Sequence, residues 1–244
     1  MELRLFVFHH AGGSHLMYRD WPERFPSSWD VRTPDAPGRG PWDDRPPLGE
    51  VGAVVDHFLH ELGDGLTGRF ALFGHSMGAT IAYELTRRLL AEGRTPPFWL
   101  GLSASSATRP ADTVQRHLLS DAALRREIAA MGGTPPEVLQ DPGLWAILAP
   151  TIRGDLRLGE TWRPSPDPLP PAVPLSVFGG KRDTAVPPDR LTGWSELCER
   201  FVGFHLFDGD HFYFRDDPTA VIERIVKDAG RALALAEAAP AVPR

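Results

Sequence analysis

Several things that would tie this chain to a metal, a membrane or a nucleic acid are missing. Cys198 is the only cysteine in 244 residues, so no internal disulfide can form, which suits a reducing compartment. No His/Cys cluster has metal-ligand spacing, and no GxGxxG or GxxxxGK[ST] loop follows a strand pattern. Neither a metal nor a nucleotide cofactor is therefore expected. No stretch approaches the ~18 apolar residues of a membrane span. The first apolar run, Leu3 to Phe8, begins almost at Met1 and carries Arg4, which argues against a secretory signal and makes the cytoplasm the expected location. The net charge is −6 with no basic patch, and this sets nucleic acid binding aside.

What is present is an alternation. Apolar, β-branched or aromatic runs fall at Leu3–Phe8, Trp29–Thr33, Arg69–Phe73, Phe98–Ser103, Leu175–Phe178 and Phe201–Phe207, with helical patterns between most of them. This order predicts an α/β fold, a mostly parallel sheet with helices on both faces. After Ser76, residues Gly78, Ala82, Leu85 and Leu89 recur at helical spacing. The last helix is capped by Asp217 with Pro218 at its first position, and it turns Val221, Ile222, Ile225 and Val226 to one side. Cys198 is in phase with Leu191 and Trp194, which reads as a buried structural thiol.

Between the fourth and fifth runs lie some seventy residues with helix signals and no strand signal, too long for a simple crossover. Thr134-Pro135-Pro136-Glu137 reads as a capping box and Asp141-Pro142 as another helix start, with Leu144, Leu148, Ile152, Leu156 and Gly159 on one face. Residues 107–168 are accordingly expected to form a helical insertion in a core of residues 1–106 and 169–236, with 237–244 a frayed tail.

The chemistry concentrates in Gly74-His75-Ser76-Met77-Gly78, a serine between glycines where a strand pattern becomes a helix pattern. A sharp strand–turn–helix would bring side chains at 74 and 78 into collision with the neighbouring strand and helix, and glycine removes them. Ser76 is then lifted above the sheet as a nucleophile, and the Met77 N–H points toward an oxyanion from the helix start. A serine hydroxyl needs a base, and the base a carboxylate. His211 lies in the loop after the last strand run, the only histidine with that placement. His57, His60, His117 and His205 fall in helical or strand patterns and read as surface or packing residues, and His75 as packing beneath the turn. Asp183, just after the run 175–178, is the expected acid. Asp208 and Asp210 share the loop of His211 and are the lesser candidates for the acid, because a carboxylate adjacent in the same loop usually points away or binds backbone. A second oxyanion donor is expected from Phe8-His9-His10-Ala11-Gly12-Gly13, with the Ala11 N–H as the donor; His9 and His10 are open between shaping the pocket mouth and a structural role.

These residues resemble the type II thioesterases of nonribosomal peptide and polyketide synthesis, a branch of the α/β-hydrolase superfamily. The segments that carry the resemblance are FHHAGG (8–13), PGRG (37–40), GHSMGA (74–79), MGGTPPEVL (131–139), FGGKRDTAVPPDRLTGW (178–194) and GDHFYF (209–214). One residue departs from the pattern: His9 stands where that family usually has proline, which bears on the rigidity of the oxyanion loop and not on the triad. The resemblance implies an editing hydrolase that removes acyl or aminoacyl groups from the phosphopantetheine arm of carrier proteins. It matches Ser76, Asp183 and His211 to the triad, Ala11 and Met77 to the oxyanion donors, and the insertion to a lid. No cofactor is implied beyond the phosphopantetheine that the substrate carries, and a monomer is expected.

Two other enzyme readings use the same triad, a carboxylesterase or lipase-like hydrolase and an acyltransferase. A non-catalytic carrier-binding module would lack a triad member, and none is missing. The lid and its flanks also carry Arg109, Arg116, Arg125, Arg126, Arg153, Arg157 and Arg163, which either solvate the outer face of the lid or pair with an acidic carrier.

Overall fold

The computed structural model describes residues 3–108, 114–170 and 172–238. Six parallel strands, β1 (Leu3–Phe8), β2 (Trp29–Arg32), β3 (Phe70–His75), β4 (Leu100–Ser103), β5 (Leu175–Gly180) and β6 (Phe201–Phe207), form one sheet in the order β2-β1-β3-β4-β5-β6. Both β2 and β3 pair with β1, so Leu5 sits opposite Val31 on one side and Ala71 on the other. Chain direction across the sheet reverses there, which places a crevice at the carboxyl ends of β1 and β3.

The two-residue period of the strands sorts the core. Phe6, Phe8, Phe70, Leu72, Leu100 and Leu102 face one way, onto α1 (Val51–Leu62) and α2 (Met77–Ala91). Leu5, Val7, Ala71 and Phe73 face the other way, onto α6 (Thr219–Ala238) through Val221, Ile222, Ile225 and Ala229. Cys198 packs with Leu191 and Trp194 in the first of these layers, and burial pushes its thiol up to about 11.

Between β4 and β5 come α3 (Asp121–Met131), α4 (Pro136–Gln140) and α5 (Pro142–Thr161), joined by their own small apolar cluster around Leu124, Ile128, Trp145, Ile152 and Leu156. Asp141 caps α5 by accepting from the N–H groups of Gly143 and Leu144 at 2.7 and 2.9 Å. The expected capping box at Thr134 does not form. Pro135 is the residue before α4 and is extended at ψ 140, because the ring of Pro136 excludes its neighbour from helical backbone. Leu144 is exposed rather than inward, and Trp145 takes its place. At the other end of the chain Asp217 accepts from Thr219 N–H at 3.0 Å, and the Pro218 carbonyl takes the first helical bond, so α6 starts one residue later than expected. Residues 239–244, most of the expected tail, lie outside the described residues, as does Arg109. Among the described residues no helix is long and apolar enough to cross a membrane.

Candidate active site

Ser76 stands at the turn between β3 and α2 with φ +56 and ψ −115, a left-handed conformation that is costly for a side chain other than glycine. Its neighbours explain how the turn is tolerated. A Cβ on Gly74 would lie 2.0 Å from the Gly78 carbonyl oxygen, and one on Gly78 would lie 2.2 Å from that of Phe8. Both approaches are far inside contact distance, so glycine at these two positions lets α2 start directly above β1 and β3. Ser76 N–H donates to the Ser103 carbonyl at 2.7 Å, which ties the turn to β4. Met77 is the first residue of α2, where a helix leaves its N–H without an intrahelical partner.

Asp183 follows β5 and His211 follows β6, and the structure joins them: His211 Nδ1 lies 2.7 Å from Asp183 Oδ2, with the side chains 5% and 0% exposed. Oδ1 of the same carboxylate accepts from Ala185 and Val186 N–H at 2.8 and 2.9 Å. Asp183 is thus a turn cap and a histidine partner at once, one oxygen for each. Its carboxylate is held in place by the main chain. The Nε2 of His211 is buried without a hydrogen-bond partner, and His211 lines the same cavity as Ser76, Met77 and Ala11. The other two carboxylates are engaged elsewhere: Asp210 accepts from Phe212 N–H at 2.8 Å, and exposed Asp208 pairs with Lys181.

Ala11 lies in the loop after β1. Gly13 N–H returns to the His10 carbonyl at 3.0 Å, and Gly12 N–H donates to Asp155 Oδ2 of α5 at 2.7 Å. Arg39 donates from two nitrogens to Asp155 at 2.6 and 2.7 Å and to the Gly13 carbonyl at 2.9 Å. These two side chains are 7% and 3% exposed. One buried ion pair therefore holds together the β1 loop, the loop carrying Arg39 and the longest helix of the 107–168 segment. The His9 ring is buried under this loop and uses both nitrogens, one toward the His10 carbonyl and one toward Ala36 N–H.

The sequence profile of the thioesterase domain spans residues 3–229 of this chain. The chain belongs to the thioesterase family. The gramicidin S biosynthesis protein GrsT of Aneurinibacillus migulanus is 32% identical over 234 residues, covering 96% of this chain and 91% of GrsT. The type II thioesterase BorB from the borrelidin biosynthetic cluster superposes with a TM-score of 0.81 at 32% identity, covering 94% of this chain and 93% of BorB. ClbQ from the colibactin NRPS/PKS pathway superposes at 0.87 and 27% identity, covering 96% and 100%. In sequence and fold the protein is a type II thioesterase built on the α/β-hydrolase plan.

The remaining histidines of this thioesterase separate into two groups. His75 lies wholly buried beneath the turn, 2.8 Å from Ser103 Oγ, which in turn meets the Tyr213 hydroxyl at 2.7 Å. His10 packs edge-on against Phe212, its ring centroid 4.7 Å away, and faces a small space shared with Ser76 and His211. Burial holds both rings well below the usual histidine range, so they are neutral. Away from the turn, His57 of α1 packs against Trp42 and Phe58, while His205 meets Asp228 at 2.6 Å. His117 is more than a packing residue: it meets Glu160 at 2.6 Å, and Glu160 lines the cavity.

Sequence reasoning missed Arg39, Asp155 and Glu160. A signal for one of them exists. Asp155 sits at helical spacing with Ile152 and Gly159, and an acid on an apolar stripe calls for a buried partner.

Proposed function

We propose that this thioesterase hydrolyses acyl or aminoacyl thioesters carried on the phosphopantetheine arm of carrier proteins in a nonribosomal peptide or polyketide system. Ser76, His211 and Asp183 form the triad in this reading, and the N–H groups of Met77 and Ala11 form the oxyanion hole. The observation that carries it is the Asp183–His211 bond, which occupies Nδ1 and leaves a buried, unpartnered Nε2 in the cavity of Ser76.

With its Nδ1 proton held by Asp183, His211 presents a lone pair on Nε2. It takes the Ser76 proton as Oγ attacks the thioester carbonyl. The two backbone N–H groups then receive the carbonyl oxygen as it becomes an oxyanion, and fixed donors of this kind reorganise little in the step. Collapse breaks the C–S bond, and the imidazolium gives its proton to the departing thiolate. Water, deprotonated by the same Nε2, then attacks the acyl-serine and releases the free acid and Ser76. No step draws on a metal or an added cofactor. The 107–168 segment acts as the lid, since α3 supplies Met131 and α5 supplies Asp155, Leu156 and Glu160 to the wall of the cavity.

Intact-mass measurement of several acyl-loaded carrier proteins, before and after incubation with the enzyme, tests this reading. The expected result is loss of the acyl mass with the phosphopantetheine retained. Carriers that stay loaded while simple oxygen esters are cleaved would instead make the protein a carboxylesterase.

A further inference from the structure

The Ala11 N–H belongs to the peptide that joins His10 to Ala11. A trans peptide holds its C=O and N–H on opposite sides, and no peptide of the described residues is cis. Whatever grips the His10 carbonyl therefore aims the Ala11 N–H. Two groups grip it. Gly13 N–H lies at 3.0 Å, closing the turn, and His9 Nδ1 lies at 2.9 Å from the opposite end of the same short segment. The first bond is main chain and comes with the turn; the second is the work of a side chain.

The His9 ring has a defined tautomer. Ala36 N–H can only donate, and it points to His9 Nε2 at 3.3 Å. A nitrogen that accepts carries no proton, so the neutral ring bears its proton on Nδ1 and donates it to the His10 carbonyl. Burial, with the Arg39 guanidinium nearby, lowers this histidine to about 3, and the ring is neutral near pH 7. Asp155 and Arg39 hold Gly12 and Gly13, which leaves the orientation of the preceding peptide to His9 and the turn. His10 and Ala11 line the spaces beside Ser76, whereas His9 lies behind them, only 2% exposed.

We propose that His9 is a positioning residue of thioester hydrolysis: by donating from Nδ1 to the His10 carbonyl, it fixes the peptide whose N–H, that of Ala11, receives the oxyanion. This rests on the assignment of Ala11 to the oxyanion hole under Proposed function. The effect belongs to the transition state, because the carbonyl oxygen moves toward that N–H only as charge develops on it.

Two substitutions separate the two ring nitrogens. In His9→Asn the amide nitrogen falls at the reach of Nδ1 and can still donate to the His10 carbonyl. In His9→Gln the amide falls at the reach of Nε2, keeps the Ala36 partner and abandons the His10 carbonyl. Each is compared with the parent for kcat and KM on a short-chain acyl thioester of a small neutral thiol, for inhibition by an alkyl boronic acid, whose Ser76 adduct places an oxygen in the oxyanion site, and for Tm. His9→Gln is expected to lower kcat roughly tenfold or more with KM little changed, and to weaken the boronate by a similar factor. His9→Asn is expected to recover most of both. The inference is overturned if both variants keep the parent kcat, or if both lose activity only in step with Tm while the boronate binds as before. Should neither variant fold, the imidazole 15N shifts of the parent decide: a His9 protonated on Nδ1 is the expected result, and one protonated on Nε2 contradicts it. A parent that releases no thiol at all would sink the assignment of the reaction itself, a different failure from that of His9.

Discussion

The strand ends and the segment between β4 and β5 meet at one cavity but are held in place by different forces. At the strand ends the candidate groups are fixed by the main chain: Ser76 by its bond to Ser103, Asp183 by two N–H groups of its own loop, and Met77 by the start of α2. The helical segment is held by side-chain pairs. Asp155 binds Arg39, Glu160 binds His117, Arg153 binds Asp121 and Arg157 binds Glu50, over an apolar cluster much smaller than the two that cover the sheet. Main-chain bonds depend little on which residue is present, whereas a side-chain pair is lost with one substitution. The difference teaches that the candidate nucleophile and acid are anchored to the backbone, whereas the cavity wall and the loop of Ala11 are anchored by side-chain pairs. The helical wall of the cavity sits on the part that can be retuned residue by residue.

The sharpest way to break this comparison is at the strand ends. Ser76→Ala should abolish thioester hydrolysis and labelling by a fluorophosphonate while leaving Tm close to the parent, because the proposed mechanism runs through an acyl group on its hydroxyl. Residual turnover at the parent level would mean another nucleophile. Asp183→Asn should cost roughly 10³–10⁴ in kcat, since the amide favours the wrong imidazole tautomer; its turn-capping oxygen survives the change, so the fold should too. If Asp210→Asn were the damaging substitution and Asp183→Asn nearly silent, the carboxylate would be misassigned.

On the helical side the expected losses are of stability. Arg39→Met leaves Asp155 buried without its cation, at a cost of about 3–5 kcal/mol and a fall in Tm on the order of 10 °C. The double variant Arg39→Met/Asp155→Leu should recover part of that loss, and a double variant worse than the sum of the two single ones would show that the pair is no unit. The smallest effect belongs to the surface. Arg157→Gln breaks an exposed pair with Glu50, both side chains more than half exposed, and should change stability by ~0.2–1 kcal/mol. The same reasoning bears on the carrier. Arg116, Arg153 and Arg157 are paired with acids of this chain, Arg163 bonds carbonyls, and Arg125 lies over the Trp145 ring. Hydrolysis of a carrier-bound thioester should therefore slow only modestly from low to high salt, and a steep decline would show that lid arginines steer the encounter after all.

The comparison also accounts for what could be read from the sequence. β1 and β6 begin and end where the apolar runs do, because strand periodicity and the turn residues around it are local signals. The glycines beside Ser76 were legible because the strand–turn–helix pattern around them is local, even though the carbonyl that Gly78 clears belongs to Phe8 of β1. β5 runs two residues beyond Phe178, through glycines that look like a turn. A Cβ on Gly180 would meet the Asp210 carbonyl at 2.0 Å, an approach set by a distant loop. In the helical segment the inward face of α5 carries Asp155 and Glu160, so a purely apolar stripe misplaces it and turns Leu144 inward where Trp145 belongs. Arg39 lies 116 residues from Asp155, and no local pattern joins them.

The central claim is that Ser76 carries the acyl group during turnover. Rapid-quench mixing of the enzyme with an acyl thioester, followed by intact mass and peptide mapping, measures this directly. The account predicts an acyl adduct on the peptide containing Ser76 that forms and decays at the rate of hydrolysis and is absent from Ser76→Ala. Hydrolysis without any adduct, or an adduct on Cys198 or another residue that turns over at that rate, would contradict it.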